Sequence, residues 1–131
     1  MDKQPYIDRI LETENLTDEL EDAEANTLIN WGVAQLDRVL QGADDPEEGG
    51  RRVNNLMAVM RKINRILGGY KSKSSKALAK DIADLRRLTA QASGSSPSFS
   101  TDGAEKASPE QAAQDVSGLS THEALEYLFK Q

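Results

Sequence analysis

This sequence contains no cysteine. That excludes a disulfide framework, a thiolate metal site and a cysteine nucleophile, and it suits a reducing compartment. Aromatic residues make up 5% of the chain, with one tryptophan and one histidine, and hydrophobic residues of all kinds reach 37%. That supply is lean for packing all 131 residues into one core, so part of the chain is expected to stay unfolded. No run approaches the roughly 20 apolar residues of a membrane span. Met1 to Leu11 is charged, interrupted by Pro5, and lacks the apolar run of a secretory signal. A cytoplasmic protein without membrane contact is the expectation.

Familiar chemistry is also missing. Serines are many but concentrate in one polar stretch, and no nucleophile elbow, Gly-rich phosphate loop or Cys/His pair is present. The acidic clusters Glu19, Glu21, Asp22, Glu24 and Asp44, Asp45, Glu47, Glu48 lack the alternating ligands and central glycine of a calcium loop. The sole histidine, His122, lies far along the chain from both. Capping and solvation account for these acids, so no catalytic residue, metal site or cofactor is expected.

What the chain does have is segregated charge. Residues 1–50 hold fourteen Asp/Glu against three Lys/Arg, residues 51–87 eleven Lys/Arg against two Asp/Glu, and residues 88–131 six Asp/Glu against two Lys/Arg. The net charge is −6. Such blocks mean that one part of the chain neutralises another or offers a charged face to a partner.

The periodicity is helical throughout, with no useful stretch of strand-like alternation. A short helix is predicted over 5–13, with Pro5 at its first position and Ile7, Ile10 and Leu11 on one face. Thr17 is a candidate N-cap for the next helix, which ends near Gln41. Ala25, Leu28, Ile29, Gly32, Val33, Leu36, Val39 and Leu40 form its apolar arc. Gly32 sits inside that arc, where glycine costs about 1 kcal/mol against alanine. The expected return is close approach of another helix. Gly42 is the expected stop.

The third helix starts either at Pro46, behind a capping Asp45, or near Arg51 after Gly49–Gly50. It carries Val53, Leu56, Met57, Met60, Ile63 and Leu67 inward and stops at Gly68–Gly69. Asn64 projects toward the same side and needs a hydrogen-bond partner if buried. A fourth helix runs from Ser75 to about Ala92, with Leu78, Ile82, Leu85 and Leu88 inward.

The resulting expectation is an all-α fold: a small antiparallel bundle over 1–92, made of three long helices and a short N-terminal one. Residues 93–118, rich in Ser, Gly, Ala and Pro, read as a flexible linker with Phe99 and Val116 as its large apolar side chains. A short amphipathic helix over 119–131 follows, opened by Ser120 and Glu123 at capping-box spacing.

Three sets of residues are candidates for function. Leu125, Leu128 and Phe129 form one face of the terminal helix, which is too short to hold itself without docking. It can dock on its own bundle, on a second subunit or on another protein. Trp31, at the edge of its helix's arc, is either a partner anchor or a lid on the core. Arg51, Arg61, Lys62, Arg65, Lys76, Lys80 and Arg87 lie opposite the apolar faces of their helices. They are either solvated cations or phosphate-binding residues. The leading expectation is a non-enzymatic protein-protein interaction module, an adaptor or regulatory subunit using a bundle groove and the tethered terminal helix, with a protein partner or self-association. A nucleic-acid-binding accessory subunit using the basic face of 51–87 is the alternative.

Overall fold

The computed structural model describes residues 3–12, 22–93 and 107–131. Six helices are seen among them, and no strand: α1 (Gln4–Leu11), α2 (Asp22–Leu40), α3 (Pro46–Leu67), α4 (Ser75–Ser93), α5 (Pro109–Ser117) and α6 (Thr121–Phe129). The Thr17 cap and Phe99 lie outside the described residues.

Local signals set most of the helix ends. Gly42 adopts a positive φ of 77° and releases the chain from α2. Asp45 caps α3, its side chain accepting from the Glu48 N–H at 2.8 Å, with Pro46 just inside. The earlier of the two expected starts is therefore the real one, and Gly49 and Gly50 are carried inside the helix. Ser74 Oγ accepts from the Ala77 N–H at 3.2 Å at the start of α4. Ser120 and Glu123 form a complete capping box on α6.

α3 is the central element. Val53, Leu56, Val59, Met60, Ile63 and Ile66 are each at most 1% exposed. Burying side chains of this size contributes about 1.5–3 kcal/mol each before ordering costs. Short loops over 41–45 and 68–74 turn α2 and α4 back along α3, which makes both pairs antiparallel. Gly32 of α2 faces Met60 of α3 so closely that a Cβ on Gly32 would stand 2.4 Å from the Met60 sulfur. The glycine is there because the two helices meet at that point. Arg52 then locks the α2–α3 loop. It donates to the backbone oxygens of Val39 at 3.1 Å and Gln41 at 2.8 Å, and pairs with Glu48 at 2.7 Å. Those contacts satisfy carbonyls that the end of α2 leaves without helical partners.

The expected linker is cut short by α5. Ser108 accepts from the Gln111 N–H at 3.2 Å, Pro109 opens the helix, and Ala112, Ala113 and Val116 are fully buried against α4 and its surroundings. Residues 107–118 thus belong to the packed structure. Small side chains are enough for this burial because alanines let two helix backbones approach closely.

Candidate functional site

The terminal helix packs on its own bundle. Leu125 is 0% and Leu128 2% exposed, with α2, α3 and α5 as the helical neighbours of α6. Phe129 stacks on Trp31, ring centroids 4.7 Å apart and planes 5° from parallel. At the other end Tyr70, itself buried, donates its hydroxyl proton to the Leu119 carbonyl. Past the helix, Arg86 of α4 grips the Gln131 side-chain oxygen with Nε at 3.0 Å and Nη2 at 2.7 Å. The Tyr127 hydroxyl donates to Asp115 of α5 at 3.2 Å; burial first, and then the Asp115 charge, push its pKa above the ordinary tyrosine range. Leu125 and Leu128 are therefore buried within the molecule, while Phe129 and Trp31 are half-buried against its core. Trp31 packs against the core with Phe129 as a ring partner.

The cations divide into two groups. Lys62 of α3 reaches across to Asp81 at 3.2 Å and Asp84 at 3.6 Å on α4. Lys73, from the loop between the helices, also binds Asp81, and Arg87 pairs with Asp84 at 3.5 Å. Burial raises the Asp81 pKa, but hydrogen bonds and charge from Lys73 and Lys62 outweigh it and leave the carboxyl below its ordinary value. The only two acids of the basic block thus form an ion-pair seam between α3 and α4.

Arg51, Arg61 and Arg65 on α3 and Lys76 and Lys80 on α4 are exposed, and none has an ion pair among the described residues. The sequence set of seven therefore separates into five cations with no ion pair among the described residues, one tie (Lys62) and one partly neutralised residue (Arg87).

Beside the α4 row lies a feature the sequence did not indicate. A groove of about 450 Å³ runs between the first turns of α4 and α5, lined by Ser75, Lys76, Ala79, Lys80, Ala83, Pro109, Glu110 and Gln114. Its floor is small and apolar, and its α4 rim is cationic. No sequence signal could place it without α5, whose position depends on tertiary packing.

Among the described residues no group of three His, Cys, Asp or Glu side chains is arranged to hold a metal ion, and no helix is long and apolar enough to cross a membrane. No family model, curated protein or solved structure matches this chain.

Proposed function

We propose that this chain is a non-enzymatic interaction module, an adaptor or regulatory subunit that holds a negatively charged partner on the outer face of α3 and α4. The observation that carries this reading is the set of five exposed cations, Arg51, Arg61, Arg65, Lys76 and Lys80, on a chain of net charge −6. Among the described residues no acid pairs with them, and the two acids of the basic block, Asp81 and Asp84, are committed to Lys62, Lys73 and Arg87. Exposed like charges that lack ion pairs among the described residues favour an anionic partner. The terminal helix serves in this reading as a structural closure rather than as the recognition element, because Leu125 and Leu128 are buried on its own bundle and Phe129 is half-buried beside them.

Fluorescence anisotropy tests the proposal, with labelled short polyglutamate and a labelled duplex oligonucleotide as probes over a salt series. Polyglutamate is expected to bind at low salt and weaken as salt rises. The combined variant Arg61→Glu, Arg65→Glu, Lys76→Glu, Lys80→Glu is expected to abolish binding with the far-ultraviolet circular dichroism unchanged. Failure of both probes to bind at low salt overturns the reading. Binding of the oligonucleotide alone replaces a protein partner with nucleic acid.

A further inference from the structure

The five exposed cations do not all face the same kind of surface. Arg51, Arg61 and Arg65 stand on the outside of one helix. Lys76 and Lys80 stand on the rim of the α4–α5 groove, whose floor is Ala79, Ala83 and Pro109. Ala79 is 6% exposed and sits at the edge of the core, Pro109 is half-buried and Ala83 is exposed, so the floor rises from the core to the surface.

Lys76 and Lys80 are four residues apart and project from successive turns, roughly 6 Å apart along the axis. Arg87 continues the row two turns further on. Its charge is partly offset by Asp84.

Three observations decide what this arrangement suits. An apolar floor contributes to binding only if the occupant brings apolar surface to cover it. A phosphate backbone brings none. The opposite wall carries Glu110, which disfavours a ligand charged on every side, such as a polyphosphate, and suits a helix that turns its carboxylates to the α4 rim and a neutral or amide side chain to α5. Third, Asp81 and Asp84 interrupt the cations between α3 and α4, so no unbroken basic track joins the two rows. A nucleic-acid groove wants such a track and aromatic stacking platforms beside it. This groove has neither aromatic side chains in its lining nor a track.

Alanines at 79 and 83 also leave room for another helix to come near the α4 backbone. We infer that the α4–α5 groove is the docking site for an acidic amphipathic helix of a partner protein, which lays small apolar side chains on Ala79, Ala83 and Pro109 and sets carboxylates on Lys76 and Lys80. This inference rests on the interaction-module reading above and narrows it to one face and one partner chemistry. Gln114, exposed on the α5 wall, supplies a neutral hydrogen-bonding group between the apolar floor and solvent.

The test uses the full chain and three probes: a synthetic amphipathic helix bearing Glu at four-residue spacing beside Ala and Leu, its Glu→Gln counterpart, and a duplex oligonucleotide. Titration of ¹⁵N-labelled protein with the acidic helix is expected to shift the amide signals of Ala79, Ala83 and Gln114 first. The Glu→Gln helix is expected to bind at least about tenfold more weakly. Lys76→Glu with Lys80→Glu should weaken the acidic helix by a similar factor, whereas Arg61→Glu with Arg65→Glu should change it less than about twofold. Ala83→Trp fills the groove and leaves every charge in place, and it should also abolish the shifts. Undiminished binding by Ala83→Trp, or a shift map centred on Arg61 and Arg65, overturns the groove while leaving a basic interaction face. Tighter binding of the oligonucleotide than of the acidic helix overturns the partner chemistry. Absence of binding by all three probes overturns both the inference and the reading beneath it.

Discussion

Trp31 and Phe129 stack face to face across the edge of the bundle, with centroids 4.7 Å apart. They are 98 positions apart in the chain. Their contact brings the end of α6 to the side of α2, where Trp31 would otherwise stand as a rim aromatic.

The stacked pair and the buried face behind it should behave as part of the fold. Leu125→Ala is expected to cost about 2–5 kcal/mol of unfolding free energy, since it opens a cavity under a fully buried side chain. A double-mutant cycle of Trp31→Ala and Phe129→Ala should return a coupling of about 0.5–1.5 kcal/mol. Urea unfolding measures both. Unchanged midpoints in the single variants would mean that α6 contributes nothing to the stability of the bundle.

The Gly32–Met60 contact predicts a substitution whose sign depends on its neighbour. Gly32→Ala gains about 1 kcal/mol of helix propensity but pushes a methyl group into a fully buried methionine, which costs about 1–3 kcal/mol. The net expectation is a loss near 1 kcal/mol. In a Met60→Ala background the obstruction is gone, and Gly32→Ala should become stabilising. Thermal unfolding of the four proteins in the cycle checks it. A gain from Gly32→Ala in the wild-type background would show that the Met60 thioether end moves aside at little cost.

Asn64 is 6% exposed, and its side-chain oxygen has no hydrogen-bond partner. Its expected need for a partner is not met among the described residues. Asn64→Leu removes an unsatisfied acceptor and adds apolar volume at a core position. It should raise stability by about 1–3 kcal/mol in chemical denaturation. A loss instead would indicate that the amide group is held by water or takes part in function.

Asp81 makes stability depend on pH in acid. Its folded pKa lies below the unfolded value of about 3.9, so its contribution is complete above that value and fades as pH falls through the folded pKa. Asp81→Asn should cost about 1–2 kcal/mol at neutral pH, because Lys73 loses its carboxylate and Lys62 keeps only Asp84. The gap between wild type and variant should hold from neutrality down to about pH 5 and close below about pH 4. A gap that persists undiminished in strong acid would rule out the carboxylate charge as its origin.

Much of this fold is legible in the sequence. The stop at Gly42, the cap at Asp45, the box at Ser120–Glu123 and the inward faces of α3 and α4 all follow from residues within one or two turns of each other. Gly32 was informative because a glycine inside an apolar arc has a local cost that only a close contact offsets. α5 was missed for the opposite reason. Ala112, Ala113 and Val116 carry little hydrophobic signal, and the Ser108–Pro109–Glu110 start was masked by the Ser- and Gly-rich composition before it. Read for capping rather than for composition, that start was visible.

The candidate site was less legible. The basic residues could be counted, and their positions opposite the apolar faces could be placed on a wheel. Which of them remain uncompensated could not. Lys62 and Lys76 look alike in sequence, yet one reaches two carboxylates across the α3–α4 seam and the other stands on the rim of a groove.

By itself, then, the sequence determined where α3, α4 and α6 begin, where α2 and α3 end, which side of these helices turns inward, and that positive charge gathers on α3 and α4. Capping, glycine geometry and periodicity act within a few residues, so the chain carries them locally. The tertiary structure alone decided that α6 rests on its own bundle, that Trp31 meets Phe129, that α5 walls a groove beside Lys76 and Lys80, and which cations Asp81 and Asp84 neutralise. Those outcomes depend on the register and spacing of elements joined through long stretches of chain, where burial of many small contacts chooses the arrangement and no single residue announces it.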